Sequence, residues 1–223
     1  MPHWTIFKGI KHIAQGAVGD LPVSWAHEHS IRGTKKLNDS VSNLRFKLDR
    51  NYVRKICSHG GADVLLGYVC AMAWGGQGSG PLCKSHPKDA WKERGKIEKH
   101  LELLRAGKLT RSGAYDLFSV VDHVDGLGPA FFTKLLYFFS PNEDFYIMDR
   151  WTARSVNLLT GREVVRITND GYVADSNTGE NYENFCTVVD DMARQLKCTG
   201  AKLEERLFSC GGGDWRKYVE NNT

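Results

Sequence analysis

Residues 124–149 read VDGLGPAFFTKLLYFFSPNEDFYIMD, and this stretch narrows the possible folds more than any other. Proline breaks a helix from within but fits its first position, where the missing N–H would have no partner anyway. Pro129 therefore opens an apolar helix, Gly126 and Gly128 supply the reversal before it, and Leu127 tucks between the two helices that the turn joins. The bare N–H groups at such a helix start bind phosphate well, so Gly126, Leu127, Gly128 and Ala130 are the candidate backbone-gripping residues. After a loop, the apolar run 145–148 ends at Asp149. An aspartate before a helix has a sufficient role as its cap. Asp149 nevertheless lies only 21 positions beyond Gly128, an interval that one helix and one return loop fill, so the carboxylate can come back beside the turn.

With 223 residues the chain can bury a substantial core, and one compact unit over 1–223, with two helical lobes as the variant, is the expected organisation. No apolar run approaches the roughly 18 residues that span a bilayer, and the first residues lack the pattern of a secretory leader, so a cytoplasmic, membrane-free protein is expected. The six cysteines (57, 70, 83, 186, 198 and 210) form no C-x-x-C pair and match neither zinc nor iron–sulfur spacing; they are expected to be free thiols, with no cofactor required. HEH at 27–29 reads as a solvent-facing pair of histidines.

Net charge is only +4, but its distribution is uneven. Between Arg32 and Lys55 eight basic residues face two acidic ones, and between Lys84 and Arg111 nine face four. Solvated helix faces would explain this, as would a phosphate-facing surface on one side of the molecule.

Elsewhere, residues 1–35 read as a strap. Val41, Leu44, Leu48 and Tyr52 fall at helical spacing, 62–74 forms an apolar helix, and GGQGSGPLCKSHP forms a loop. A charged helix over about 89–106 buries Trp91, Ile97, Leu101 and Leu104, and another starts near a Ser112 cap. A helix from 150 stops at Gly161, a short β-hairpin turns at NDG, and three helices close the chain, the last capped by Asp214.

The segment 112–160 resembles the helix-hairpin-helix DNA glycosylase superfamily, the group of endonuclease III and 8-oxoguanine glycosylase. Gly126, Leu127 and Gly128 match its turn, and IMDRWTARSV matches its second element, with Asp149 on the catalytic aspartate. Small bacterial 8-oxoguanine-glycosylase-like proteins, including ones that attack modified phage DNA, look most similar. The resemblance implies a mainly α glycosylase fold with a small β-hairpin insertion, a double-stranded DNA partner carrying a damaged or modified base, and a monomer. It also implies a monovalent cation held by the carbonyls of Asp122, Val124 and Leu127. The family's lyase members carry a nucleophilic lysine two residues after the second glycine; here that position is Ala130. The expectation is therefore a monofunctional enzyme that leaves an abasic site. Lys134, one turn further on, reads as an exposed flank residue, or else as the amine of a bifunctional lyase.

Breaking the bond between base and sugar builds positive charge on the sugar, which a nearby carboxylate stabilises while it orients the attacking water. Asp149 fits that work. A flipped base needs a pocket of flat rings and amides, for which Trp74, Gln77, Trp151 and Trp215 are candidates. A binding module that kept the turn without the chemistry is the competing reading.

Overall fold

The computed structural model describes residues 2–75, 81–209 and 213–223, with the backbone alone for 81–84. In chain order its helices are α1 (Pro2–Gly9), α2 (Pro22–Glu28), α3 (Lys35–Ser42), α4 (Arg50–Ser58), α5 (Val64–Trp74), α6 (Pro81–Lys92), α7 (Arg94–Arg105), α8 (Arg111–Asp116), α9 (Pro129–Phe139), α10 (Arg150–Thr160), α11 (Gly179–Gln195), α12 (Gly200–Phe208) and α13 (Asp214–Glu220). The protein is mainly helical, as its sequence implies. None of the described helices is long and apolar enough to cross a membrane.

Helix α5 is apolar all round, so it needs partners on every side. It obtains them from α2, α3, α4, α7 and α9. A second group forms around α11, which packs on α8, α10 and α12, while α10 also packs on α13. Helix α9 touches both groups, lying against α4, α5, α7 and α8, and all but two of its residues are buried. The helix that follows the glycine turn thus joins the two halves of the core.

Several boundaries differ from those the sequence suggests, each for a local reason. The run from Val41 to Tyr52 is two helices, because Asp49 accepts the Tyr52 amide at 2.8 Å and starts α4 afresh. The charged helix breaks at Glu93, and α6 runs back to Pro81 through Pro87, so PLCKSHP is helical rather than loop. Its stripe of Trp91, Ile97, Leu101 and Leu104 is buried as expected. Thr110, not Ser112, caps α8 by accepting the Gly113 amide at 3.1 Å, and Gly213 precedes α13, leaving Asp214 as its first residue. The expected strap contains α1 and α2. His29 is buried against Trp25, so HEH is not an exposed pair. The hairpin reduces to one antiparallel bridge, Ile167 with Val173, closed by Gly171 at φ +79°. Cys57, Cys70, Cys186 and Cys198 are free thiols.

Candidate active site

The chain enters the glycine turn through α8 and one π-helical turn, Leu117–Val121. Gly126 then takes φ +78°, and a β-carbon there would stand 2.3 Å from the His86 carbonyl of α6, so conformation and space both demand glycine. Three residues on one face of α7 and its cap hold the turn in place: Glu93 accepts the Asp125 amide at 2.8 Å, Lys96 donates to the His123 carbonyl at 3.0 Å, and the buried His100 meets Asp122 at 2.9 Å. The amides of Gly126, Gly128 and Ala130 donate to nothing among the described residues. Leu127 is buried below them.

The link between turn and aspartate is Thr133. Its hydroxyl donates to the Pro129 carbonyl at 2.7 Å and accepts the Met148 amide at 3.1 Å, so the first turn of α9 is tied to the residue before Asp149. The extended run 145–148 is buried throughout. Tyr182 donates to its Tyr146 carbonyl and Thr152 to its Ile147 carbonyl, both at 2.8 Å. Asp149 caps α10 in a reciprocal box: Oδ1 accepts the amides of Trp151 (2.9 Å) and Thr152 (3.0 Å), while the Asp149 amide donates to the Thr152 hydroxyl at 2.9 Å. Every hydrogen bond that the carboxylate accepts falls on Oδ1. Oδ2 accepts none among the described residues, and Asp149 is 9% exposed.

A cavity of about 190 Å³ opens beside Asp149 at the junction of the two helix groups. Arg50 from α4, Trp74 and Gly75 from the end of α5, Lys134 from α9, Glu204 and Phe208 from α12, and the segment around Gln15 and Gly19 wall it. Lys134 is only 7% exposed, which corrects the expectation of a surface lysine. Its stem runs back towards the helix N-terminus, as helical side chains do, and Nζ donates to the Ala130 carbonyl at 2.8 Å. Burial lowers its pKa, with the Asp149 carboxylate opposing. Gly75 makes room for it, since a β-carbon there would come 2.8 Å from Lys134 Cδ.

The model of a family described as putative 8-oxoguanine DNA glycosylase OGG-like protein matches residues 12–208. The chain belongs to this OGG-like family. No curated protein and no solved structure matches it.

In this OGG-like chain Asp149 and Trp74 line one cavity, the helix after the turn is tied to the residue before Asp149 through Thr133, and the other base-pocket candidates divide. Trp215 is a core residue, 1% exposed, edge-on to Phe7 and donating its indole N–H to Ser155 at 2.9 Å, and it is not on the wall of this cavity. Trp151 lies outside the cavity wall, with Arg150, Arg154 and Arg216 over its ring. Gln77 falls outside the described residues. Sequence reading missed Arg50 and Glu204, although both left a trace. Arg50 stands in register with buried Val53 and Cys57, and Glu204 sits between Leu203 and Leu207; each is a charge on an apolar helix face.

Proposed function

We propose that this OGG-like protein is a DNA glycosylase that extrudes a damaged or modified base from the duplex, seats it in the cavity between α4, α9 and α12, and breaks its N-glycosidic bond at Asp149. The observation that carries this reading is the one-sided engagement of Asp149. The helix start fixes Oδ1, and Oδ2 is left to the cavity.

As the C1′–N bond breaks, its electron pair leaves with the base and positive charge builds on the sugar. A fixed carboxylate stabilises that charge without reorganising. In the hydrolytic route, water adds to C1′ and passes a proton to Asp149 Oδ2, and the departing base takes up a proton, leaving an abasic site. Extruding the base costs a few kcal/mol of stacking, which contacts in the cavity offset. The unengaged amides of Gly126, Gly128 and Ala130 hold a backbone phosphate. The Asp122 and Leu127 carbonyls accept no hydrogen bond among the described residues, and that of Val124 accepts the Leu127 amide at 3.2 Å; these three oxygens would hold a monovalent cation that draws phosphate to the turn.

A second reading rests on Lys134. Its buried amine, with lowered pKa, shares the cavity with Asp149. Attack of a neutral Nζ on C1′ would expel the base and, after the sugar ring opens, give a Schiff base from which the 3′ phosphate is eliminated.

The test combines two substitutions with duplexes carrying single modified bases and with modified phage DNAs. Asn caps helices as well as Asp does, so Asp149→Asn should fold normally, bind DNA and release base at least about 100-fold more slowly. Wild-type activity in that variant would refute the assignment. Borohydride trapping separates the routes. A covalent protein–DNA adduct that vanishes in Lys134→Gln marks the amine route, and alkali-labile sites without an adduct mark hydrolysis.

A further inference from the structure

Four buried polar atoms of the cavity wall have no hydrogen-bond partner among the described residues: Glu204 Oε1, Gln15 Oε1, Arg50 Nε and Trp74 Nε1. Buried polar atoms are nearly always paired, because an unpaired one keeps the full cost of leaving water. Two acceptors and two donors left open around one cavity form a surface for a ligand that carries both.

Glu204 is the most constrained of the four. It is 1% exposed, and its Oε2 accepts from Arg50 Nη1 at 2.6 Å. Arg50 is itself fixed, with its guanidinium 4.7 Å from the Tyr137 ring centre and 5.4 Å from that of Trp74. Arg50 therefore holds the carboxylate through Oε2, and Oε1 is left buried and without a partner among the described residues, on a residue of the cavity wall. Burial pushes the Glu204 carboxyl up, and the contact with Arg50 opposes this. A carboxylate oxygen accepts and never donates, so whatever meets Oε1 must bring an N–H or O–H.

We propose that Glu204 is the specificity-determining residue of the cavity: its Oε1 accepts an N–H from the inner edge of the extruded base, with the neighbouring Arg50 Nε–H donating to a ring nitrogen or carbonyl on the same edge. The inference rests on the cavity being the base pocket of a glycosylase. It adds that the base is neutral, carries a free N–H beside an acceptor, and is refused when that N–H is alkylated. Asp149 acts on the sugar and Glu204 on the base, so the two carboxylates fail in different ways when removed.

The experiment varies the substrate first, which needs no change to the protein. Duplexes carrying the most readily released base are compared with duplexes in which each N–H of that base in turn is methylated. Methylation at one position should lower kcat/KM at least about 100-fold in the wild type, because a site built around a hydrogen bond strongly rejects an analogue without it. In Glu204→Gln and Glu204→Ala the same methylation should cost less than about tenfold. Glu204→Gln keeps the shape and guards against a folding artefact in the alanine variant, which leaves Arg50 buried alone. Binding of free nucleobases and their N-methyl forms, followed by tryptophan fluorescence, supplies a readout without catalysis. It should depend on Glu204 and survive Asp149→Asn. Equal turnover of every methylated duplex, or wild-type discrimination in both Glu204 variants, would overturn the proposal, as would free-base binding indifferent to Glu204. Loss of turnover with Glu204-dependent base binding intact would instead count against the glycosylase reading alone.

Discussion

Lys134 sits one helical turn beyond Ala130, yet its amine lies 2.8 Å from the Ala130 carbonyl. Position 130 is alanine, and the side chain from the next turn folds back along α9 to reach its carbonyl. A residue that reads as an exposed helix flank thus becomes a buried amine in the cavity that Asp149 lines, with Nζ 4.6 Å from the Phe131 ring centre. The return path exists because Gly75, at the end of α5, has no side chain.

Gly75→Ala should therefore separate stability from activity. Gly75 has φ −64°, which alanine adopts without strain, so the backbone does not object. The added methyl would meet Lys134 Cδ at 2.8 Å and Cε at 3.0 Å, contacts that a flexible stem relieves by moving its amine. Unfolding free energy should change by less than about 1 kcal/mol. Activity, by either route, should fall at least about tenfold if the amine must stay where it is. A variant as active as wild type would show that the position of Lys134 does not matter.

The buried amine also sets a pH dependence. Burial lowers the pKa of Lys134 in the folded protein, whereas the unfolded chain keeps the ordinary value of about 10.4. Between those two values the unfolded state binds more protons, so stability contributed by this group rises with pH through that window and is least below it. Lys134→Met should be more stable than wild type near neutral pH, and the difference should shrink as pH climbs towards 10. Denaturant titrations at a series of pH values measure this. A difference that is flat across the series would mean that the amine is not desolvated.

Much of this arrangement was legible in the sequence where local chemistry decides the outcome. Pro129 after Gly128 fixed the start of α9, and the apolar run before Asp149 announced a cap, which engages one of its two carboxylate oxygens. Gly161 ended α10 in the left-handed conformation that its position suggests. What remained hidden depends on contacts between distant segments. The Arg50–Glu204 pair joins residues 154 positions apart, and neither partner reveals the other. Trp215 offered a flat ring in a glycine-rich tail, but only tertiary packing shows that Ser155 and Phe7 claim it. The hairpin at NDG was over-read because alternation over so few residues gives one bridge and no sheet to extend it.

The arginines after Asp149 carry a further expectation. Arg150 lies 5.1 Å from the Trp151 ring centre and 5.0 Å from that of Tyr172, and Arg154 lies 5.4 Å from Trp151. Neither has an Asp or Glu carboxylate within ion-pair distance among the described residues, although Arg154 donates to the Thr223 hydroxyl at 2.8 Å and to the Thr223 main-chain oxygen at 3.3 Å. Burial lowers the Arg154 pKa and the charge of Arg150 lowers it further, with the Glu220 carboxylate opposing, so an added anion would ease the repulsion between the two arginines. Arg150→Ala with Arg154→Ala should weaken binding to unmodified duplex and reduce the slope of log K against log salt by about 1 to 2, the signature of one or two lost phosphate contacts. An unchanged slope would place the DNA elsewhere.

The two glycines of the turn should respond differently to alanine. Gly126 holds φ +78°, and its β-carbon would stand 2.3 Å from the His86 carbonyl and 3.1 Å from the Ala90 amide nitrogen. Both obstacles are backbone atoms of α6, so relief requires the turn to lift from that helix. Gly128 holds φ −73° as the N-cap of α9, and its β-carbon would meet only Asp175 Oδ1 at 3.6 Å, an ordinary contact. Gly126→Ala should therefore cost roughly 1–3 kcal/mol of stability, whereas Gly128→Ala should cost less than about 1 kcal/mol, the difference between glycine and alanine at a helix cap. Thermal and denaturant unfolding of the pair decide it. If both variants unfolded alike, the docking of the turn against α6 would carry no weight, and with it would go the reason that three amides stand open at the start of α9.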